Sequence, residues 1–230
     1  MKFGVVVFPG SNCDRDLIWA IERLTGEAPV ELWHKDTDLK GVDFVLVPGG
    51  FSYGDYLRSG AIAKLSPIMG SIKEFAANGG YVMGICNGFQ ILCEAGLLEG
   101  ALLRNTSMKF ICSNVHLLPQ NKSLLTQDLD ATQALKIPIA HGEGRYYIDE
   151  AGLERLKAND QILFKYCTPE GEVNAAANPN GSLENIAGIC NAGKNVFGMM
   201  PHPERAADGE LFNTDGNLIF QSILNSVVNA

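Results

Sequence analysis

The chain has 230 residues and a mass of 24.8 kDa, enough to bury one substantial α/β core and short of what two full domains need. With 46% hydrophobic and 19% charged residues, it is neither a disordered chain nor a disulfide-stapled miniprotein. A formal net charge of −8 and a pI near 5.0 leave no excess of Lys and Arg to neutralise a nucleic-acid backbone or an anionic membrane surface, which argues against both kinds of partner.

The first half alternates short apolar runs with segments of helical period, the pattern of a parallel sheet covered by helices. A doubly wound, flavodoxin-like α/β fold is expected, mostly parallel, with helices on both faces. Phe3 to Phe8 is a β-branched run that ends at Pro9-Gly10 and reads as a buried first strand. A helix follows, capped by Asp14 or a neighbour, with Leu17, Ile18, Ile21 and Leu24 at helical spacing and Gly26 as its stop. Val30 to Trp33 and Phe44 to Val47 are the next strands, the latter running into Pro48-Gly49-Gly50. Gly70 to Asn78 is predicted helical, with Ile72 and Phe75 inward and Pro67 marking a break or first turn. Tyr81 to Ile85 is a fourth strand, and Asn87 to Ala95 a helix. From about Met108 the texture changes to alternating β patterns, including Ser113 to Leu118, Ile162 to Cys167 and a hairpin-like pair around Asn178-Pro179-Asn180-Gly181. Asp215 to Asn229 is predicted to be a closing amphipathic helix. No repeat, charge block or low-complexity linker divides the chain, so one domain over residues 1–230 is expected.

Six cysteines, Cys13, Cys86, Cys93, Cys112, Cys167 and Cys190, show neither a C-x-x-C pair nor metal-ligand spacing. That usage suits a reducing compartment. The N-terminal apolar run flows into a loop and not a cleavage site, and no apolar stretch approaches the roughly 18 residues that span a bilayer. A cytoplasmic location is therefore expected.

Gly84-Ile85-Cys86-Asn87-Gly88 places a cysteine between glycines at a strand-to-helix turn, the layout of a nucleophile elbow with sulfur in place of oxygen. Small flanking residues relieve the crowding of a sharp turn, and the positive end of the following helix favours thiolate. Cys93, Cys112, Cys167 and Cys190 read as small buried hydrophobes. Cys13, in the loop after the first strand, is ambiguous. Such a nucleophile wants a base and a third group that orients the base. Of the four histidines, His34 and His116 lie in strand-like surroundings and read as structural. His141, in Ile139-Ala140-His141-Gly142-Glu143, is placed to line a pocket. His202 stands between Pro201 and Pro203, whose rings favour extended backbone, so Glu204 two residues on would share its side. Gly49 and Gly50 end a strand without side chains, and their N–H groups, with that of Asn87, are candidates for an oxyanion hole. The loop after the first strand has neither a G-x-G-x-x-G pattern nor a P-loop lysine, so no nucleotide site is expected there.

Together the Pro48-Gly49-Gly50 loop, Gly84 to Leu92 and the late Pro201-His202-Pro203-Glu204 resemble the class I glutamine amidotransferase family over nearly the whole chain. Three longer stretches, residues 8–16, 49–63 and 138–146, are similar to one branch of it, the glutaminase subunits of phosphoribosylformylglycinamidine synthases. The resemblance implies that Cys86 attacks the carboxamide of glutamine, His202 moves protons and Glu204 orients His202. It places Gly49, Gly50 and Asn87 at the oxyanion site, and Gln90, His141 and Glu143 near bound glutamine. It further implies no cofactor and no metal on this chain, with ATP and magnesium on a separate large synthetase subunit, accompanied by a small third subunit. A chain of this length has no room for an ATP-binding synthetase domain. The segment from Leu117 to Ile137 carries no assignable motif. Three alternatives share part of the pattern: the glutaminase of another amidotransferase, such as one feeding pyridoxal phosphate or histidine synthesis; a cysteine hydrolase working without a partner; and a binding module with an inert cysteine. The run from Gly49 to Ala63 argues against the first. Labelling of Cys86 by a reactive glutamine analogue separates out the last.

Overall fold

The computed structural model describes residues 1–228. In chain order the elements are β1 (Phe3–Val7), α1 (Asp14–Thr25), β2 (Val30–Trp33), β3 (Phe44–Val47), α2 (Pro67–Ala77), β4 (Tyr81–Ile85), α3 (Asn87–Glu94), β5 (Ala101–Leu103), β6 (Ile111–Pro119), β7 (Leu135–His141), β8 (Arg145–Tyr147), α4 (Glu150–Ala158), β9 (Ile162–Cys167), β10 (Ile186–Cys190), β11 (Val196–Met199) and α5 (Asp215–Val228). Of the final predicted helix, Asn229 lies outside the described residues.

Among the described residues, nine strands form one sheet in the order β2-β1-β3-β4-β11-β10-β9-β6-β7. The half from β2 to β11 is parallel, and from β11 onward each neighbour is antiparallel. The fold is thus α/β and doubly wound, with an antiparallel extension on its sheet. Apolar runs without alternation suit strands buried on both faces, and Phe44 to Val47 are all fully buried. The antiparallel β6 shows the other pattern, with Val115, Leu117 and Pro119 buried and intervening residues less so. No helix among the described residues is long and apolar enough to cross a membrane.

Several local expectations are corrected. Asp14 does not cap α1: Cys13 holds that position without a side-chain cap bond, and Asp14 and Asp16 instead load the first turn with negative charge. Pro67 is the first residue of α2, earlier than the predicted start at Gly70, because a helix's first turn needs no proline N–H. Phe75 is only half-buried, and of the cysteines expected to be buried hydrophobes Cys112, on a solvent-facing part of β6, is exposed and Cys93 half-buried. The predicted hairpin-like pair around Asn178 to Gly181 is formed by β9 and β10, which pair antiparallel, although a long loop and not a tight turn joins them. Asn178 Oδ1 accepts from the N–H of Gly181 at 2.8 Å, tying that loop between two short 3-10 turns. The span after Leu117 ends β6 and begins β7. Its loop buries Leu125 and Leu129 and receives the Ser222 hydroxyl of α5 on the Leu124 carbonyl at 3.0 Å.

Gly88 sits where α3 crosses the end of β3, and a Cβ there would overlap the Val47 carbonyl oxygen. Gly70, on the exposed side of α2, has nothing within 4 Å of the same position. Gly88→Ala is expected to destabilise the chain by about 2–3 kcal/mol through overpacking. Gly70→Ala is expected to stabilise it by about 0.5–1 kcal/mol through backbone entropy. Urea unfolding of the two variants beside the parent chain measures both, and similar losses for the two would contradict the packing argument.

Candidate active site

Cys86 occupies the sharp turn between β4 and α3 with φ 50° and ψ −106°, a conformation that L-residues rarely adopt and that costs of order 1–3 kcal/mol. It persists because both neighbours are fixed. The Cys86 N–H donates to the Met199 carbonyl at 2.8 Å, and the Cys86 carbonyl accepts from Gln90 N–H at 3.1 Å. Gly84 is required too, since a Cβ there would lie 2.6 Å from Gly88 backbone. The thiol is 5% exposed and directs its hydrogen toward the Ala140 carbonyl at 3.7 Å.

His202 follows β11 by three residues and donates its backbone N–H to Pro138 of the edge strand β7 at 2.9 Å. Its Nδ1 lies 2.6 Å from Glu204 Oε1, with both side chains 1% exposed. The expected extended backbone is not what joins them: His202 caps a 3-10 turn, Pro203–Ala206, and Glu204 lies in its first turn. Burial disfavours the imidazolium, but the Glu204 carboxylate and Cys86 outweigh that and raise the His202 pKa above its ordinary value. With Nδ1–H given to Glu204, Nε2 is left without a hydrogen-bond partner. Gly49 makes the approach possible, since a Cβ on it would lie 2.7 Å from His202 Cε1 and 3.3 Å from Cys86 Cβ. Gly50 has the other reason to be glycine, a φ of 123°.

Cys86 lines a cavity of about 330 Å³, together with Gly50, Gln90, His141 and Glu143. A larger one of about 750 Å³, walled by Trp19, Leu211 and Phe212, meets His202 and Glu204 from the other side and is not lined by Cys86. The smaller one holds the nucleophile and is the candidate site. Gln90 donates to the Glu143 carbonyl at 2.7 Å and accepts from Asn87 Nδ2 at 2.9 Å. Asn87 in turn accepts from the N–H of Ser52 at 3.1 Å, fastening the loop after Gly50 to α3. The Glu143 carboxylate receives the Ser59 hydroxyl at 3.0 Å and lies 3.6 Å from Arg104 Nε.

His141 lines the cavity, yet both of its ring nitrogens are engaged. Asn105 Oδ1 accepts from Gly144 N–H as well as from His141 Nδ1, and Asn180 Nδ2 reaches Nε2 at 3.4 Å, so the ring is the neutral Nδ1–H tautomer. Burial, and after it the charge of His202, push its pKa down to about 4. Four neighbours escaped the sequence reading as site residues. Asp55 and Ser59 line the pocket from within the stretch 49–63, which did not single them out, and Arg104 from a loop without a motif; Asp55 has its pKa raised chiefly by burial. Cys13 carries the one usable signal, its place in a loop at the carboxyl end of β1. Its Sγ would be 3.3 Å from a Cβ on Gly49, and it accepts from Arg205 Nη2 at 3.1 Å.

A family model described as a CobB/CobQ-like glutamine amidotransferase domain matches residues 1–217. Relatives named phosphoribosylformylglycinamidine synthase subunit PurQ are 54% identical in Koribacter versatilis, covering 99% of each chain, and 55% identical in Acaryochloris marina, covering 99% of this chain and 97% of that one. A chain in the structure of PurLQS from Thermotoga maritima is 44% identical, with a TM-score of 0.85 and 98% of each chain covered. A glutamine amidotransferase from the same organism, 15% identical with a TM-score of 0.58 over 97% of this chain and 90% of that one, shares the fold alone. The chain belongs to the class I glutamine amidotransferases and, within them, to the PurQ family of phosphoribosylformylglycinamidine synthase subunits.

The neutral, buried His141 makes a prediction about stability. Its folded pKa of about 4 lies below the ordinary 6.5, so between these values the unfolded chain binds a proton that the fold refuses. Stability is therefore complete above pH 6.5 and falls as the pH drops toward 4, by about 2–3 kcal/mol. His202 is shifted the other way: its contribution is fully present below 6.5 and is lost at higher pH, so it is constant across this window. Urea unfolding at pH 7 and pH 4 is expected to show a distinctly smaller difference for His141→Gln than for the parent chain. An equal difference would mean that His141 is protonated in the fold.

Proposed function

We infer that this chain is the glutaminase subunit of a phosphoribosylformylglycinamidine synthase. It hydrolyses glutamine and passes ammonia to a separate ATP-dependent synthetase, which converts formylglycinamide ribonucleotide to formylglycinamidine ribonucleotide in purine synthesis. The observation that carries the chemistry is the strained Cys86 elbow beside the buried His202–Glu204 pair. The Cys86 thiol gives its proton to His202 Nε2 as Sγ attacks the side-chain carbonyl carbon of glutamine, and the N–H groups of Gly50 and Asn87 receive the oxyanion. Collapse breaks the C–N bond, with His202 Nε2 giving its proton to the leaving nitrogen, and leaves a glutamyl thioester. His202 then takes a proton from water as the water attacks the thioester, releasing glutamate and the thiol. Glu204 holds the imidazole and stabilises its cation throughout. The pocket suits a free amino acid, because it presents Asp55 and Glu143 to an ammonium group and Arg104 and Lys109 to a carboxylate.

These steps use side chains and backbone alone, and the reading assigns no cofactor to this chain. ATP and magnesium belong on the large synthetase subunit, which a small third subunit accompanies, and the assembly works in the cytoplasm. Ammonia released into neutral water would be protonated and lost as a nucleophile, so the synthetase docks over the glutaminase site. The loop from Phe51 to Arg58 is the natural contact, since it walls the pocket while exposing Phe51, Tyr56 and Leu57.

Cys86→Ala is expected to lose glutamine-dependent product by about 10³-fold or more while the complex still uses added ammonium. His202→Ala should fall nearly as far. Glu204→Gln should lose less, since it transfers no proton itself, and Cys93→Ala should behave as the parent chain. Failure of ammonium to rescue Cys86→Ala would overturn the division of labour. A second measurement addresses partnership: steady-state glutaminase is expected to be weak for the chain alone and to rise as synthetase, ATP and acceptor are added in turn. A rate indifferent to the synthetase would favour a hydrolase that works without a partner.

A further inference from the structure

Four side chains from three segments of the chain gather around Gly49. The position its Cβ would take is within 3.3 Å of Cys13 Sγ and Cys86 Cβ and 2.7 Å from His202 Cε1, and Glu204 stands behind His202. Cys86, His202 and Glu204 have roles in the glutaminase, whereas Cys13 has none. Yet Cys13 is only 4% exposed and sits at the centre of the group. One donor atom from each of Cys13, His202 and Glu204 lies within 4.8 Å of the other two. Independently, Glu204 Oε2 is buried without a hydrogen-bond partner. A cavity of about 150 Å³, lined by Cys13, His202 and Arg205 on one side, adjoins the Cys86 pocket and shares Gly50, Phe51, Phe110 and Ala140 with it.

We propose that Cys13, His202 and Glu204 form a binding site for a soft divalent cation, zinc being the probe of choice, and that occupancy of this site blocks the glutaminase. The donors are a thiolate, an imidazole and a carboxylate, the set zinc prefers, at about 2.3 Å for sulfur and 2.0–2.2 Å for nitrogen and oxygen. Donors up to 4.8 Å apart need only a small closure to meet those lengths around one ion. The Cys13 thiol must release its proton to solvent as the metal–sulfur bond forms, so binding strengthens with rising pH. Arg205 opposes the ion by charge, but it favours the thiolate and is itself paired with Asp16 at 3.0 Å. An ion held by His202 removes the base on which both halves of the reaction depend. The inhibitory consequence rests on the proposed roles of His202 and Cys86; the binding itself does not.

The test therefore has two arms. In the first, the glutaminase rate of the full complex is followed against free zinc, each variant normalised to its own metal-free rate. The parent chain is expected to be inhibited and restored by a chelator. Cys13→Ala and the better-packed Cys13→Ser are expected to need about tenfold or more zinc for the same inhibition, the scale on which weakened ligation acts. Cys112→Ala, which removes an exposed thiol, should match the parent. In the second arm, cobalt(II) is added to the full chain with Cys86→Ala, leaving Cys13 as the thiol of the cluster. A sulfur-to-cobalt charge-transfer band is expected, and it should vanish when Cys13→Ser is added. Equal zinc sensitivity of the Cys13 variants, or no such band, would overturn the proposal. If the band appears while the chain shows no glutaminase under any condition, the metal site stands and the catalytic assignment fails.

Discussion

The register between three parallel strands is the constraint on which the rest of the molecule depends. Val47 of β3 stands opposite Gly84 of β4, and Ile85 of β4 opposite Met199 of β11. Because the strands are parallel, each delivers its following loop to the same end of the sheet, where open α/β sheets place their sites. Gly49 and Gly50, Cys86, and His202 come from positions far apart in sequence and arrive within van der Waals reach. A shift of one residue in β4 would turn Cys86 to the opposite face. The bond from Cys86 N–H to the Met199 carbonyl continues the β4–β11 ladder one residue past the strand, so the strained turn is held by the sheet itself.

Within that frame the two histidines of the site show how surroundings decide chemistry. His202 and His141 are both buried, and burial alone lowers the pKa of each. His202 faces a carboxylate and a thiol, which restore and then exceed its affinity for a proton. His141 faces two asparagine side chains that satisfy its nitrogens and fix one neutral tautomer. One ring keeps an unpartnered nitrogen, and the other has none to offer. A buried histidine–carboxylate pair is a poor source of net stability, because desolvation consumes most of its attraction. Its retention at this position, beside a strained cysteine, fits a role in proton transfer better than a role in folding.

How much of this was legible in the sequence follows the range of the interactions. β1 to β4, the helices between them and the elbow are specified by local signals: unbroken apolar runs, helical spacing, and glycines at strand ends. Gly88 was legible as part of a motif, whereas its contact with the Val47 carbonyl depends on tertiary crossing. In the antiparallel extension, the alternating patterns of Ser113 to Leu118 and Ile162 to Cys167 mark β6 and β9, whereas β7 and the short β5 and β8 were not singled out, and which strands pair is decided only in the fold. Asn178 shows where local signals stop: Pro179 and Gly181 mark the reversal between β9 and β10, whereas the length of the loop and the side-chain bonds of Asn178 that tie it are tertiary matters. At the site, the motif cysteine, histidine and glycines were found, whereas the stretch 49–63 holds Asp55 without showing that it faces the pocket, and no motif covers Arg104.

The loop after Gly50 joins these observations to the outside of the molecule. Tyr53, Gly54 and Asp55 all have positive φ, a run that only tethers at several points sustain. Those tethers are the Tyr53 hydroxyl on His34 Nδ1 at 2.6 Å and Ser66 Oγ at 2.8 Å, Ser52 on Asn87, and Arg58 on Glu94 at the end of α3. Asp55 on the inner side of this loop faces the pocket, and Tyr56, the very next residue, is 87% exposed. The two are neighbours on one tethered segment, so the exposed face at Tyr56 and Leu57 and the wall of the Cys86 pocket belong to the same short stretch of backbone, which Ser52 ties through Asn87 to the first turn of the helix behind Cys86.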